Sequence, residues 1–147
     1  MTDAPVHEAL WTELAGEIVQ HYATGRRIVA VDGADRSATS AAADRLADAL
    51  RRAGATVDRR ALDDLASYTS TVVAPFRAGA GDAVLVLDGP ILGTPAADTL
   101  AWAMWLDTDG PGIGGPGNRT TADAIVDVTD PAHPRRRFSD WCVIPRR

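Results

Sequence analysis

The chain has 147 residues, 46% of them hydrophobic, and a formal net charge of −5. That length allows a sizeable core, and the composition excludes a disordered polymer. The acidic balance gives no general attraction to nucleic acid or to a membrane surface. A single cysteine, Cys142, excludes an internal disulfide framework. The N-terminus carries no basic, apolar leader pattern and no run is long enough to span a bilayer, so a cytoplasmic protein is expected. All 15 basic residues are arginine; there is no lysine.

Residues 6–23 place Val6, Leu10, Leu14, Ile18 and Val19 at helical spacing before Gly25, which predicts an N-terminal helix. Residues 27–32 form a short apolar run into Gly33, a buried strand. Residues 37–53, rich in alanine, leucine and arginine and closed by Gly54, predict a second helix. Residues 55–62 read as a strand, less apolar and so nearer an edge. Residues 64–79 read as helical, with Pro75 limiting or kinking the run. Residues 83–88 are a buried strand. Residues 100–107 are apolar with an abrupt polar end, and strand is the preferred reading. Trp102 and Trp105 would then lie on opposite faces. Residues 124–128 give a fifth strand, followed by the loop Thr129, Asp130, Pro131.

Alternating strands and helices imply a parallel sheet covered on both sides. The expected fold is therefore a three-layer α/β domain with a five-stranded, mostly parallel sheet. It would fill residues 1–147, with an N-terminal helix within residues 1–25 and a tail from 132 to 147. Asp32, Asp88 and Asp107 each end a strand. In open α/β sheets the ligand crevice lies beyond those ends. A turn role accounts for each aspartate equally.

A phosphate loop follows G-x-x-x-x-G-K-[ST]. Aligned on Gly33, the chain keeps the first glycine and the final hydroxyl, Ser40. Ala38 stands for the second glycine and Thr39 for the lysine. Gly33, Arg36, Ser37, Thr39 and Ser40 are the candidate nucleotide-binding residues. An ordinary reading competes: Asp35 or Ser37 caps the second helix and the loop binds nothing.

Residues 27–64, with the later stretches 83–89 and 122–131, resemble the uridine kinase-like P-loop proteins. The resemblance implies a P-loop NTPase-like fold, ATP as phosphate donor and magnesium held by Ser40 and Asp88. Asp63 or Asp64 would face a substrate hydroxyl, so Asp63, Asp64 and Asp88 are the catalytic candidates. The family's lysine has no counterpart, and its arginine-bearing lid would fall at residues 108–121, which are mostly glycine and proline and offer only Arg119. Phosphoryl transfer relies on positioning and on positive charge around the moving group. The first expectation is thus a degenerate kinase relative that binds or regulates without efficient transfer. The second is a divergent kinase or phosphate-binding enzyme using Arg36, Ser40, Asp63, Asp64 and Asp88. The third is a homodimer formed through exposed tryptophans. A small anionic ligand or nucleotide is the expected partner class.

Gly112, Gly114 and Gly117 fit a G-x-G-x-x-G spacing, but prolines interrupt it and a flexible loop is the better reading. His7, His21 and His133 lack metal-ligand spacing. Arg135, Arg136 and Arg137 read as a solvated basic face, with contact to an anion or acidic group as the alternative.

Overall fold

The computed structural model describes residues 3–62, 64–108 and 122–137. Helix α1 spans Asp3–His21, strand β1 Arg26–Gly33, helix α2 Arg36–Arg52 and strand β2 Val57–Ala61. One turn of π-helix, Thr69–Val73, runs into the short helix α3, Ala74–Arg77. Strand β3 is Ala83–Asp88, a 3-10 turn covers Pro95–Thr99, and β4 is Trp102–Asp107. Strands β5, Ala124–Asp127, and β6, Arg135–Arg137, complete the described elements.

The sheet order is β2-β3-β1-β4-β5-β6, with every pairing parallel except β5 with β6. Five strands match the expected ones, and β2 is an edge as its polarity implies. The sixth departs from expectation. The arginine run pairs antiparallel to β5, with Ile125 opposite Arg137 and Asp127 opposite Arg135. Two carboxylates make this possible. Arg136 Nη1 donates to Glu17 Oε1 at 2.9 Å, and Arg137 Nε donates to Asp127 Oδ2 at 2.8 Å. The run is thus an edge strand tied down by charge, and charged side chains also suit an edge that must not recruit another chain.

Strand alternation divides the core. Val29 and Val31 of β1, Val84 and Val86 of β3, and Trp102, Met104 and Leu106 of β4 face α1 and α2. Leu10, Leu14 and Ile18 of α1 and Leu46 and Leu50 of α2 close that layer. Ile28, Ala30, Leu85 and Leu87 face the opposite side, under Tyr68, Val72, Val73 and Phe76. Trp102 and Trp105 do fall on opposite faces, in separate apolar clusters. Each indole finds a carboxylate: Trp102 Nε1 donates to Glu17 Oε2 and Trp105 Nε1 to Asp107 Oδ1, both at 2.9 Å. Among the described residues, Trp11, Trp102 and Trp105 are all buried, so none offers the exposed indole that the homodimer expectation invoked. Trp141, Cys142 and the glycine-rich stretch at 109–121 lie outside the described residues.

The predicted helix at 64–79 is shorter than expected. Residues 65–67 are bends, and the π-turn begins only at Thr69. Pro75 sits at the start of α3, directly after the π-turn. No described helix is long and apolar enough to cross a membrane.

Candidate functional site

Four parallel strands deliver Asp32, Asp88, Asp107 and Asp127 to the carboxyl edge of the sheet, and all four are buried. Burying a carboxylate demands partners. Here the protein itself supplies them.

Asp32 binds backbone. Its Oδ1 accepts from Gly33 N at 2.7 Å. Its Oδ2 accepts from Ile91 N at 3.1 Å and Leu92 N at 2.8 Å. The carboxylate therefore ties the end of β1 to the loop after β3. Arg36 closes the arrangement, with Nη2 donating to the Gly33 carbonyl at 2.5 Å and lying 3.4 Å from Asp32 Oδ1.

The loop itself is short. Only Ala34 and Asp35 separate β1 from α2. Arg36, Ser37, Ala38, Thr39 and Ser40 are all helical, so little backbone remains to wrap an anion. Asp35 is the N-cap: it is extended at φ −102 and ψ 110, and its Oδ1 accepts from Ala38 N at 3.1 Å. Of the two cap candidates, Asp35 rather than Ser37 takes the role. The helix end, with its positive dipole, carries its own anion. Thr39 is buried and its Oγ1 donates back to the Arg36 carbonyl at 3.0 Å, a helical back-bond. Ser37 is exposed and Ser40 half-buried.

Gly33 has a packing reason to be glycine. A Cβ there would stand 2.8 Å from the Leu106 carbonyl oxygen and 3.0 Å from Thr39 Cγ2. The glycine lets β1, β4 and α2 approach.

Asp88 meets a cation that sequence reasoning missed. Arg59 Nη1 lies 2.6 Å from Asp88 Oδ1. The contact lies outside hydrogen-bond geometry, so charge holds the pair; the same Nη1 donates to the Arg60 carbonyl at 2.6 Å. Arg59 Nε donates to Asp44 Oδ1 at 3.1 Å, and Nη2 donates to the Ser40 carbonyl at 3.3 Å. One guanidinium thus bridges β2, the first turns of α2 and the end of β3. The signal was available: Val57 and Arg59 share a face of β2, and Val57 packs toward α2.

Asp64 is exposed and accepts from Ala66 N at 2.9 Å, an ordinary turn. It is apart from this cluster in bonding, and Asp63 lies outside the described residues. Asp88, which the resemblance named as a magnesium ligand, is engaged by the protein itself. Among the described residues no three His, Cys, Asp or Glu side chains converge as a metal set. Asp88 faces a guanidinium, and Asp32 spends both oxygens on backbone N–H groups.

Asp127 shows the same self-sufficiency. Burial pushes its carboxyl upward, but the Thr129 hydroxyl and N–H and the Arg137 guanidinium outweigh that and bring it to about 2.

A sheet of this order, with helices on both faces, a short loop between β1 and α2 and a row of strand-end aspartates, defines an α/β protein of P-loop kinase-like fold. No family model and no curated protein matches the sequence. Among solved structures, the chain is similar to that of a possible uridine kinase from Bacillus stearothermophilus, with a TM-score of 0.61 and 16% identity. The match covers 78% of this chain and 96% of that one.

Proposed function

We propose that this chain is a P-loop kinase-like protein that does not transfer phosphate efficiently and serves in binding or regulation. The observation carrying this reading is Arg59, whose guanidinium stands 2.6 Å from Asp88 and also holds the Ser40 carbonyl. Those are the two residues to which the resemblance assigned magnesium. The Asp35 carboxylate at the start of α2 supports the same reading, since it places negative charge where a phosphate would approach. A chain without lysine has no side-chain amine to offset that charge.

The test is ADP release from magnesium ATP in the presence of uridine, cytidine or other nucleosides. The expected result is release no faster than the protein-free blank. Nucleoside-dependent release that disappears in Ser40→Ala or Asp88→Asn would overturn the reading and favour the divergent-kinase alternative.

A further inference from the structure

The two edges of the sheet differ in charge. At one, β6 is Arg135, Arg136 and Arg137, so a second copy of that strand laid against it would meet like charge. At the other, β2 reads Val57, Asp58, Arg59, Arg60, Ala61 and pairs with β3 alone among the described strands. The ladder to β3 fixes which backbone groups are left over. Val84 N donates to the Thr56 carbonyl at 2.9 Å, and Leu62 N donates to the Asp88 carbonyl at 2.8 Å. In a parallel pair the groups of alternate residues point the same way, so Asp58 and Arg60 also face β3. The N–H and C=O groups of Val57, Arg59 and Ala61 point outward, which makes them a template for a further strand. Side chains alternate between the two faces as well. Val57 packs toward α2, and Arg59 is drawn the same way, onto Asp44 and Asp88. Asp58 and Arg60 share the other face and are exposed.

We propose that β2 is a self-association surface: a second copy of the chain adds its own β2 antiparallel, across a twofold axis at Arg59, to give one continuous sheet. The backbone and the charges agree on this register. Arg59 opposite Arg59 of the second copy forms a hydrogen-bonded pair, and so do Val57 and Ala61, so every outward group of the strand is used. Asp58 then falls opposite Arg60 of the second copy in a non-hydrogen-bonded pair, where facing side chains come closest. The twofold axis repeats that contact, so opposite charges meet twice on one face. Both side chains are available for it. Asp58 has no ion-pair partner among the described residues, and Arg60 makes only a 3.4 Å contact with the Thr71 carbonyl. The two Arg59 side chains do not oppose the pairing. Each is only 17% exposed and is already neutralised within its own chain by Asp88 and Asp44. A register centred on Asp58 or on Arg60 would set like charges against each other, and the backbone groups of those residues are spent on β3. Self-association through β2 goes beyond the non-catalytic reading and does not rest on it.

Sedimentation equilibrium of the full chain at low salt, up to about 500 μM, tests this. The expected result is a mass that rises toward that of a dimer, with Kd below about 100 μM, since the edge is short. Asp58→Arg and Arg60→Asp each place like charges opposite one another, and each weakens the dimer at least about tenfold. Mixed in equal amounts, the two variants again carry opposite charges at both contacts, and they form a heterodimer about as tight as the unaltered one. Amide exchange reads the strand itself. Protection at Val57, Arg59 and Ala61 rises with protein concentration, while Asp58 and Arg60, bound to β3, stay protected throughout. Should either variant fold poorly, this amide pattern in the unaltered chain decides alone. A chain that stays monomeric at the highest concentration overturns the proposal. So does a dimer that both single variants leave intact, a mixture that stays monomeric, or a dimer in which the Val57, Arg59 and Ala61 amides exchange as fast as in the monomer.

Discussion

Arg59 Nη1 lies 2.6 Å from Asp88 Oδ1, with the side chains only 17% and 9% exposed. A charged pair so removed from water is held together mainly because separating it would strand a buried charge. Its loss should therefore be asymmetric. Arg59→Gln leaves the Asp88 carboxylate uncompensated and should cost about 3 kcal/mol of stability. Asp88→Asn in the same chain should restore much of that. Chemical denaturation of the two single variants and the double variant measures the coupling; strictly additive losses would show that the pair is not a unit.

Gly33 separates two roles that a glycine after a strand can have. The 2.8 Å approach to the Leu106 carbonyl predicts that Gly33→Ala destabilises the fold by roughly 2 kcal/mol. A thermal melt checks this directly. An unchanged melting temperature would mean that the contact between β1 and β4 relaxes freely.

The loop residues Asp35 and Ser37 should differ sharply although both precede or open α2. Asp35→Ala removes the acceptor for Ala38 N and should cost about 1 kcal/mol. Ser37→Ala, at an exposed position, should change stability by less than about 0.5 kcal/mol. Urea midpoints for the two variants make the comparison.

Acid should find Asp127. Its folded pKa of about 2 lies below the ordinary 3.8, so folding favours the ionised form. That stability is fully present above pH 3.8 and is lost as pH falls toward 2. The contribution is about 2 kcal/mol. Asp127→Asn should flatten this part of the acid limb, and denaturation curves between pH 2 and pH 5 read it out.

Glu17 gathers α1, β4 and β6. It accepts from Trp102 Nε1 at 2.9 Å and from Arg136 Nη1 at 2.9 Å, and Arg136 also approaches Asp123 through the carbonyl at 3.5 Å. Burial pushes the Glu17 carboxyl up, but Arg136 and Trp102 bring it below the usual range. Glu17→Gln should loosen the edge strand before the core. Faster amide exchange in β6 than in β1 would register that.

The pattern of apolar runs and helical spacings made most of the secondary structure of this protein legible. Residues 27–32 and 83–88 were legible as buried strands from their short length, β-branched content and flanking glycines, and the leucines of α1 from their helical spacing. Once 100–107 was read as strand rather than helix, the spacing of Trp102 and Trp105 also put them on opposite faces. The sequence also showed that Gly33 opens no standard phosphate loop, since the lysine position is Thr39. What it could not show was who meets whom across distance. Arg59 and Asp88 are brought together by β2 pairing with β3, and Asp32 reaches Ile91 and Leu92 through a loop that folds back. The run 135–137 became a strand because Glu17 and Asp127 were there to receive it. Periodicity is local, and a one-dimensional pattern carries it whole. The neutralisation of a buried charge depends on which strands become neighbours, and only the tertiary structure decides that.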